Sequence, residues 1–361
     1  MIDRFKHHYG ELSRAQNSVG YSSCALFCQL EISEEDIKKN LPDEELRTGL
    51  FETSGTYDGV CRFNTTTDSA ARMSLRLNIP QNVGGNLLEE CAPSAYPNNK
   101  YKQIDLLLAE ELKEFPFHEY QDLSNLMGLK ENFVGFLWSS LSRFGTTISS
   151  IMNAKHAKEV INHNTGLVAK SYYGGLPFKI GKDSAMKWAM FPKQTHELSE
   201  DEKTTTEVEK SAISYTSSLK KWMETNKDKG GAKWDFVIQI AKNTDGKDET
   251  NDDFNIEYGD AKWDEMKSPY VKVGTLTIKS DQPISRDTKL NQFFHPNDTS
   301  EKSCPEYNAI QFNPWNQLQA HQPLGPFNRA RKAIYPVVSK LRRSYGNKEE
   351  IPKLCPFLEY K

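Results

Sequence analysis

Residues 71–80 read ARMSLRLNIP, in which Met73, Leu75, Leu77 and Ile79 alternate with polar partners. A period of two puts one side of a strand in a core and the other in water, as an antiparallel sheet allows. Seven further segments carry alternation, or β-branched and aromatic residues, between turn signals. They are SSCALFCQLEI (22–32), GVCRFN (59–64), YKQIDLLLA (101–109), LPFKI (176–180), SAMKWAMFP (184–192), WDFVIQIAK (234–242) and VKVGTLTIK (271–279). Eight such strands predict a closed antiparallel barrel.

Helical spacing interrupts the strands between residues 131 and 162, where Phe133, Phe136, Leu137, Leu141, Ile148, Ile151 and Met152 recur at helical intervals. The charged stretch 193–231 reads as a surface excursion with a helix near 207–226, and NTDGKDETNDD (243–253) as an exposed hairpin tip. That tip lacks the ligand spacing of a calcium loop, so its carboxylates serve solvation. A last helix is expected from about Asn328 to Arg343. The predicted fold class is α+β: a closed antiparallel eight-stranded β-barrel with inserted and C-terminal helices, forming one domain over 1–361 with a core of about 14–345.

Charge narrows the partners. The chain has 361 residues with 46 basic and 49 acidic side chains, a formal charge of −3, and no polybasic footprint for nucleic acid or an anionic membrane. The N-terminus MIDRFKHHYGELSRAQ has no apolar leader core and no later run approaches membrane-spanning length, so no integral membrane segment and a cytoplasmic location are expected. A small molecule is the expected partner, with the oligomeric state left open. Six cysteines (Cys24, Cys28, Cys61, Cys91, Cys304, Cys355) show neither zinc-ribbon nor thioredoxin spacing, which suits reduced, packed thiols.

One short stretch carries chemistry. In RARKAIY (329–335), Arg331 precedes Tyr335 by four residues. On a helix that spacing stacks guanidinium and phenol on one face, and a nearby cation favours phenolate over phenol. An amphipathic surface helix with a half-buried tyrosine would show the same spacing.

The longer segment QFNPWNQLQAHQPLGPFNRARKAIY (311–335) resembles the signature of the short members of the catalase superfamily. These small haem proteins include catalase-related peroxidases and coral-type allene oxide synthases. GLFETSGTYDGVCRFNTTTDSAARMSLRLNIP (49–80), SYYGGLPFKIGKDSAMKWAMFP (171–192) and NIEYGDAKWDEMKSPYVKVGTLTIK (255–279) resemble other barrel segments of that family. The resemblance implies haem b, with Tyr335 as axial iron ligand, Arg331 as its hydrogen-bond partner, and Arg14 and Arg62 beside the propionates.

The departures are as informative. RAQNSVGY (14–21) puts Asn17 where the family has its distal histidine, and DLLLAEELKEFPF (105–117), aligned without a gap, puts Glu110 at the second distal position, with the adjacent Glu111 there if the register shifts by one. Asn17 can orient a peroxide but cannot carry its proton; Glu110, in an apolar pocket, could. HQPLG (321–325) has Gln322 where arginine is usual, and His321 is expected to be structural. The expected function is therefore a haem-dependent oxidoreductase acting on an organic or lipid hydroperoxide, as a peroxidase, peroxygenase or hydroperoxide-rearranging enzyme, with weak hydrogen-peroxide disproportionation. Two alternatives are a low-activity catalase or peroxidase using hydrogen peroxide, and a haem-binding relative without catalysis.

Overall fold

The computed structural model of the protein describes residues 20–66, 71–88, 101–110, 113, 164–199, 212–241, 256–280 and 312–345; the backbone alone is described at 20–25, 64–66, 212–217, 220 and 336–345. Nine strands lie in these residues: β1 (Gly20–Ile32), β2 (Gly55–Thr66), β3 (Ala71–Pro80), β4 (Tyr101–Glu110), β5 (Tyr172–Tyr173), β6 (Phe178–Ile180), β7 (Ser184–Pro192), β8 (Ala232–Ile240) and β9 (Tyr270–Ile278). All pairings are antiparallel. The order runs β5-β4-β3-β2-β1-β9-β8-β7-β6, and an additional β5–β7 pairing closes eight strands into a ring with β6 outside it. The fold is the expected α+β class with a closed antiparallel eight-stranded barrel.

The membership of that ring differs from expectation in one place. LPFKI was expected to be a barrel strand, but only Phe178–Ile180 is extended, and it pairs with β7 beside the ring. The barrel position belongs to Tyr172–Tyr173, which bridges Glu110 and Ala109 of β4 to Met190 and Ala189 of β7. Two residues have no period to read. They can act as a strand because Gly175, at φ 69, turns the chain away directly afterwards.

The barrel interior is filled by alternate residues of each strand: Leu26, Leu30 and Ile32 of β1, Phe63 of β2, Met73, Leu75 and Leu77 of β3, Leu106 and Leu108 of β4, with Trp188, Trp234 and Phe236 opposite. Each such side chain contributes roughly 1.5–3 kcal/mol by leaving water. Cys28 and Cys61 lie in this core as free thiols, as anticipated.

Three α-helices accompany the barrel in the described residues. Helix α1 (Glu34–Asn40) begins at Ser33, whose hydroxyl accepts from the Asp36 amide at 3.2 Å, and it carries three acids in its first turn and two lysines in its last. This arrangement matches the helix dipole. Helix α2 (Ala212–Thr225) falls inside the helix expected at 207–226 and buries Leu219 and Met223 in the main core. Helix α3 (Gly325–Tyr345) begins three residues before the expected start. The expected helix at 131–162 and hairpin tip at 243–253 lie outside the described residues.

The polar side of β3 was expected to be wet. Instead Ser74 and Arg76 are only 6% and 2% exposed. The segment 312–318 covers that side, and α3 continues from it.

Candidate functional site

The covered side is the outer surface of β2, β3 and β4. Because Arg62 pairs with Ser74, Arg76 with Asp105 and Arg72 with Ala109, the arginines and Asp105 share the face opposite the core. Arg76 donates through Nε and Nη2 to the two oxygens of Asp105, both at 2.7 Å. Asp105 Oδ2 also accepts from the Asn313 amide and Asn316 Nδ2, each at 2.8 Å. Gln317 Nε2 donates to the Asp105 carbonyl. A fork-to-fork ion pair is tolerable in this burial because further donors satisfy the carboxylate. Phe312 then slots between cations, with its ring centre 4.4 Å from the Arg62 guanidinium and 5.4 Å from that of Arg76. The barrel thus grips the chain just before α3.

The next grip is His321. Its Nε2 accepts from the Leu50 amide at 2.9 Å, so Nδ1 carries the proton shared with the Lys179 carbonyl at 3.2 Å. Burial pushes its pKa down to about 4, against the opposing bonds to the Lys179 and Ala320 backbones. His321 is therefore a neutral, fully satisfied structural histidine, as the sequence suggested. Gly49 sits against it at φ 60, and a side-chain carbon there would overlap the imidazole.

Helix α3 opens at Gly325, with φ 79, where any Cβ would collide with the Ile256 carbonyl. Pro326 follows in the first turn, which needs no amide donor. Asn328, fully buried, donates through Nδ2 to the carbonyls of Pro177 and Leu324, both at 2.9 Å, while its own carbonyl accepts from Trp315 Nε1 at 2.7 Å. Its Oδ1 accepts from Arg331 Nη1 at 3.3 Å, and Arg331 Nη2 donates to the Tyr335 hydroxyl at 3.3 Å. Residues 328, 331 and 335 fall on one helix face. Arg72 of β3 is electrostatically coupled to the same pair: burial lowers its pKa, Tyr335 opposes that and Arg331 reinforces it. Arg329, outside this face, pairs with Glu257 at 2.7 Å on the surface.

Of the sequence-predicted residues, Arg331 and Tyr335 are in contact, and Arg62 shares the sheet face of Arg72. Arg14 and Asn17 lie outside the described residues. Glu110 is placed elsewhere. Its register opposite the buried Tyr172 puts it on the inner side of the barrel, where Oε2 accepts from the Ala71 amide at 2.9 Å and Oε1 meets Lys170 Nζ. Its side chain is 0% exposed and that of Lys170 1%. The expectation of a carboxyl sheltered only by apolar neighbours is corrected by this pairing: strand parity turns residue 110 toward Leu106 and Leu108, away from Arg72.

Sequence reasoning missed Asn328, Arg72, Asp105 and Lys170. Asn328 had a legible signal, standing three residues before Arg331 in the same helix. The other three depend on pairings between distant segments.

No family model matches the chain, and neither does any curated protein. Among solved structures it is similar to a fungal catalase, with a TM-score of 0.58 and 14% identity over 99% of this chain and 65% of that one. The chain has a catalase-like fold. At that identity the likeness concerns the fold, and the chain spans about 65% of the length of that catalase. Among the described residues no helix is long and apolar enough to cross a membrane, and no three His, Cys, Asp or Glu side chains are grouped to hold a metal ion.

Proposed function

We propose that this chain is a haem-dependent oxidoreductase acting on an organic or lipid hydroperoxide, in which Tyr335 would hold the haem iron. The observation that carries the proposal is the Arg331–Tyr335 hydrogen bond at 3.3 Å, on a helix preceded by a segment anchored at Asp105 of the barrel and at His321. The donor set fits the group. A single phenol beside a guanidinium suits an iron already held by a macrocycle, and phenolate is a hard anionic donor for the ferric state. By the family resemblance, Arg62 and Arg14 would pair with its propionates.

When bound, the haem supplies the redox chemistry that breaks a peroxide O–O bond. Arg331 donates a hydrogen bond to the Tyr335 oxygen and would orient it toward the group. Asn17, by the family resemblance, orients the peroxide by hydrogen bonding. It carries no proton, so rapid hydrogen-peroxide disproportionation is not expected of this chain.

Glu110 is not assigned a part in proton transfer, because a carboxylate engaged by Lys170 on the inner side would first have to break a buried ion pair. That placement also supports a second reading, a haem-binding relative without turnover. Absorption spectra of the haem-loaded chain, before and after hydrogen peroxide or a fatty-acid hydroperoxide, test both. Turnover of the lipid hydroperoxide supports the enzyme; a stable haem spectrum unaffected by either supports the second reading. Tyr335→Phe should lose haem or the phenolate charge-transfer band, and unchanged haem binding and spectrum in that variant would refute the ligand.

A further inference from the structure

Asn328 combines full burial with four hydrogen bonds of distinct roles. Its Nδ2 is held by two carbonyls that belong to different segments, Pro177 before β6 and Leu324 before α3. Its backbone carbonyl is held by the Trp315 indole. The side-chain amide therefore has little freedom to rotate, and the only orientation that uses both Nδ2 protons presents Oδ1 to Arg331. An arginine on the exposed side of a helix ordinarily samples many rotamers, at a cost in entropy when it is fixed. Here one guanidinium nitrogen is fixed by Asn328 and another faces Tyr335.

We propose that Asn328 is a positioning residue that holds the Arg331 guanidinium in hydrogen-bonding register with the Tyr335 phenol. This deepens the haem reading and rests on it for its consequence, although the positioning itself is a property of the chain alone. Among the described residues, Arg72 on β3 faces the Arg331–Tyr335 pair electrostatically. A fixed Arg331 keeps its hydrogen bond on the Tyr335 oxygen, and a freed one would leave that oxygen less constrained toward any haem it held.

The test is a double-mutant cycle with Asn328→Ala, Arg331→Ala and both together, read in the haem-loaded protein. In the wild-type background Asn328→Ala should shift the phenolate charge-transfer band and raise the haem dissociation rate by about tenfold, the loss expected for one hydrogen bond to a charged group. In the Arg331→Ala background the same change should leave the band where it is, although thermal stability still falls because the bonds to Pro177 and Leu324 are gone. An equal band shift in both backgrounds, or none in either, overturns the proposal. The haem-free protein supplies a separate readout. Side-chain 15N NMR should show restricted rotation of the Arg331 guanidinium in the wild type and free rotation in Asn328→Ala. Free rotation in the wild type refutes the positioning itself; restricted rotation lost in the variant, with no haem bound by either, sustains the positioning and refutes the haem reading.

Discussion

Lowering the pH should loosen the site from behind, through His321. In the folded protein this imidazole is buried, accepts from the Leu50 amide, and has its pKa pushed down to about 4 from 6.5. In the unfolded chain it takes a proton near 6.5. Between those values the unfolded state binds one more proton than the native state, so stability falls as the pH falls. The stability is intact above about pH 6.5, is lost progressively down to about pH 4 and changes no further below that from this group. At about 1.36 kcal/mol per pH unit the loss is about 3 kcal/mol, a large part of a typical domain's margin. Because His321 precedes α3 by four residues, the Tyr335 helix should loosen with it. The measurement is urea unfolding at pH 7 and pH 4 for the wild type and for His321→Gln, which keeps an acceptor for Leu50 and a donor for Lys179 but cannot titrate. The wild type should lose about 3 kcal/mol more than the variant over that interval. Equal losses, or an imidazole resonance titrating near pH 6.5 in the folded protein, would show that His321 is not the buried neutral group described.

Two further substitutions separate packing from chemistry. Asp105→Asn leaves Arg76, 2% exposed, without its carboxylate and should destabilise the fold by roughly 3–5 kcal/mol in chemical denaturation; a change within about 0.5 kcal/mol would mean that the barrel does not hold segment 312–318 through this pair. Glu110→Gln should cost a similar amount by stranding Lys170, with turnover per bound haem unchanged, and Glu110→Leu combined with Lys170→Met should recover much of that loss. A fall in turnover of roughly 10²–10⁴-fold at unaltered stability would instead return Glu110 to proton transfer.

The barrel was legible because long strands carry several repeats of a period-two pattern, as ARMSLRLNIP of β3 does from end to end. The two-residue β5 carries none, and it was missed although it closes the ring. Helix α1 was also missed. Its cue, Ser33 followed by Glu34, Glu35 and Asp36, was present but short. At the site, Arg331 and Tyr335 were legible because their relation is local: one helical turn links them whatever lies around. The side that Glu110 faces was not legible, because side-chain parity is set by register against the neighbouring strands.

The sequence by itself determined the elements whose information is local: the long strands, the last helix, and the stacked guanidinium and phenol. These follow from backbone periodicity and residue chemistry within a few positions. Only the tertiary structure decided that the polar side of β3 is buried under residues 312–318, that Asp105 meets Arg76 and Asn313 there, and that Lys170 claims Glu110 on the inner side. Each of these is a pairing of charges or donors from distant parts of the chain, and its free energy exists only once the barrel has closed and removed the competing water.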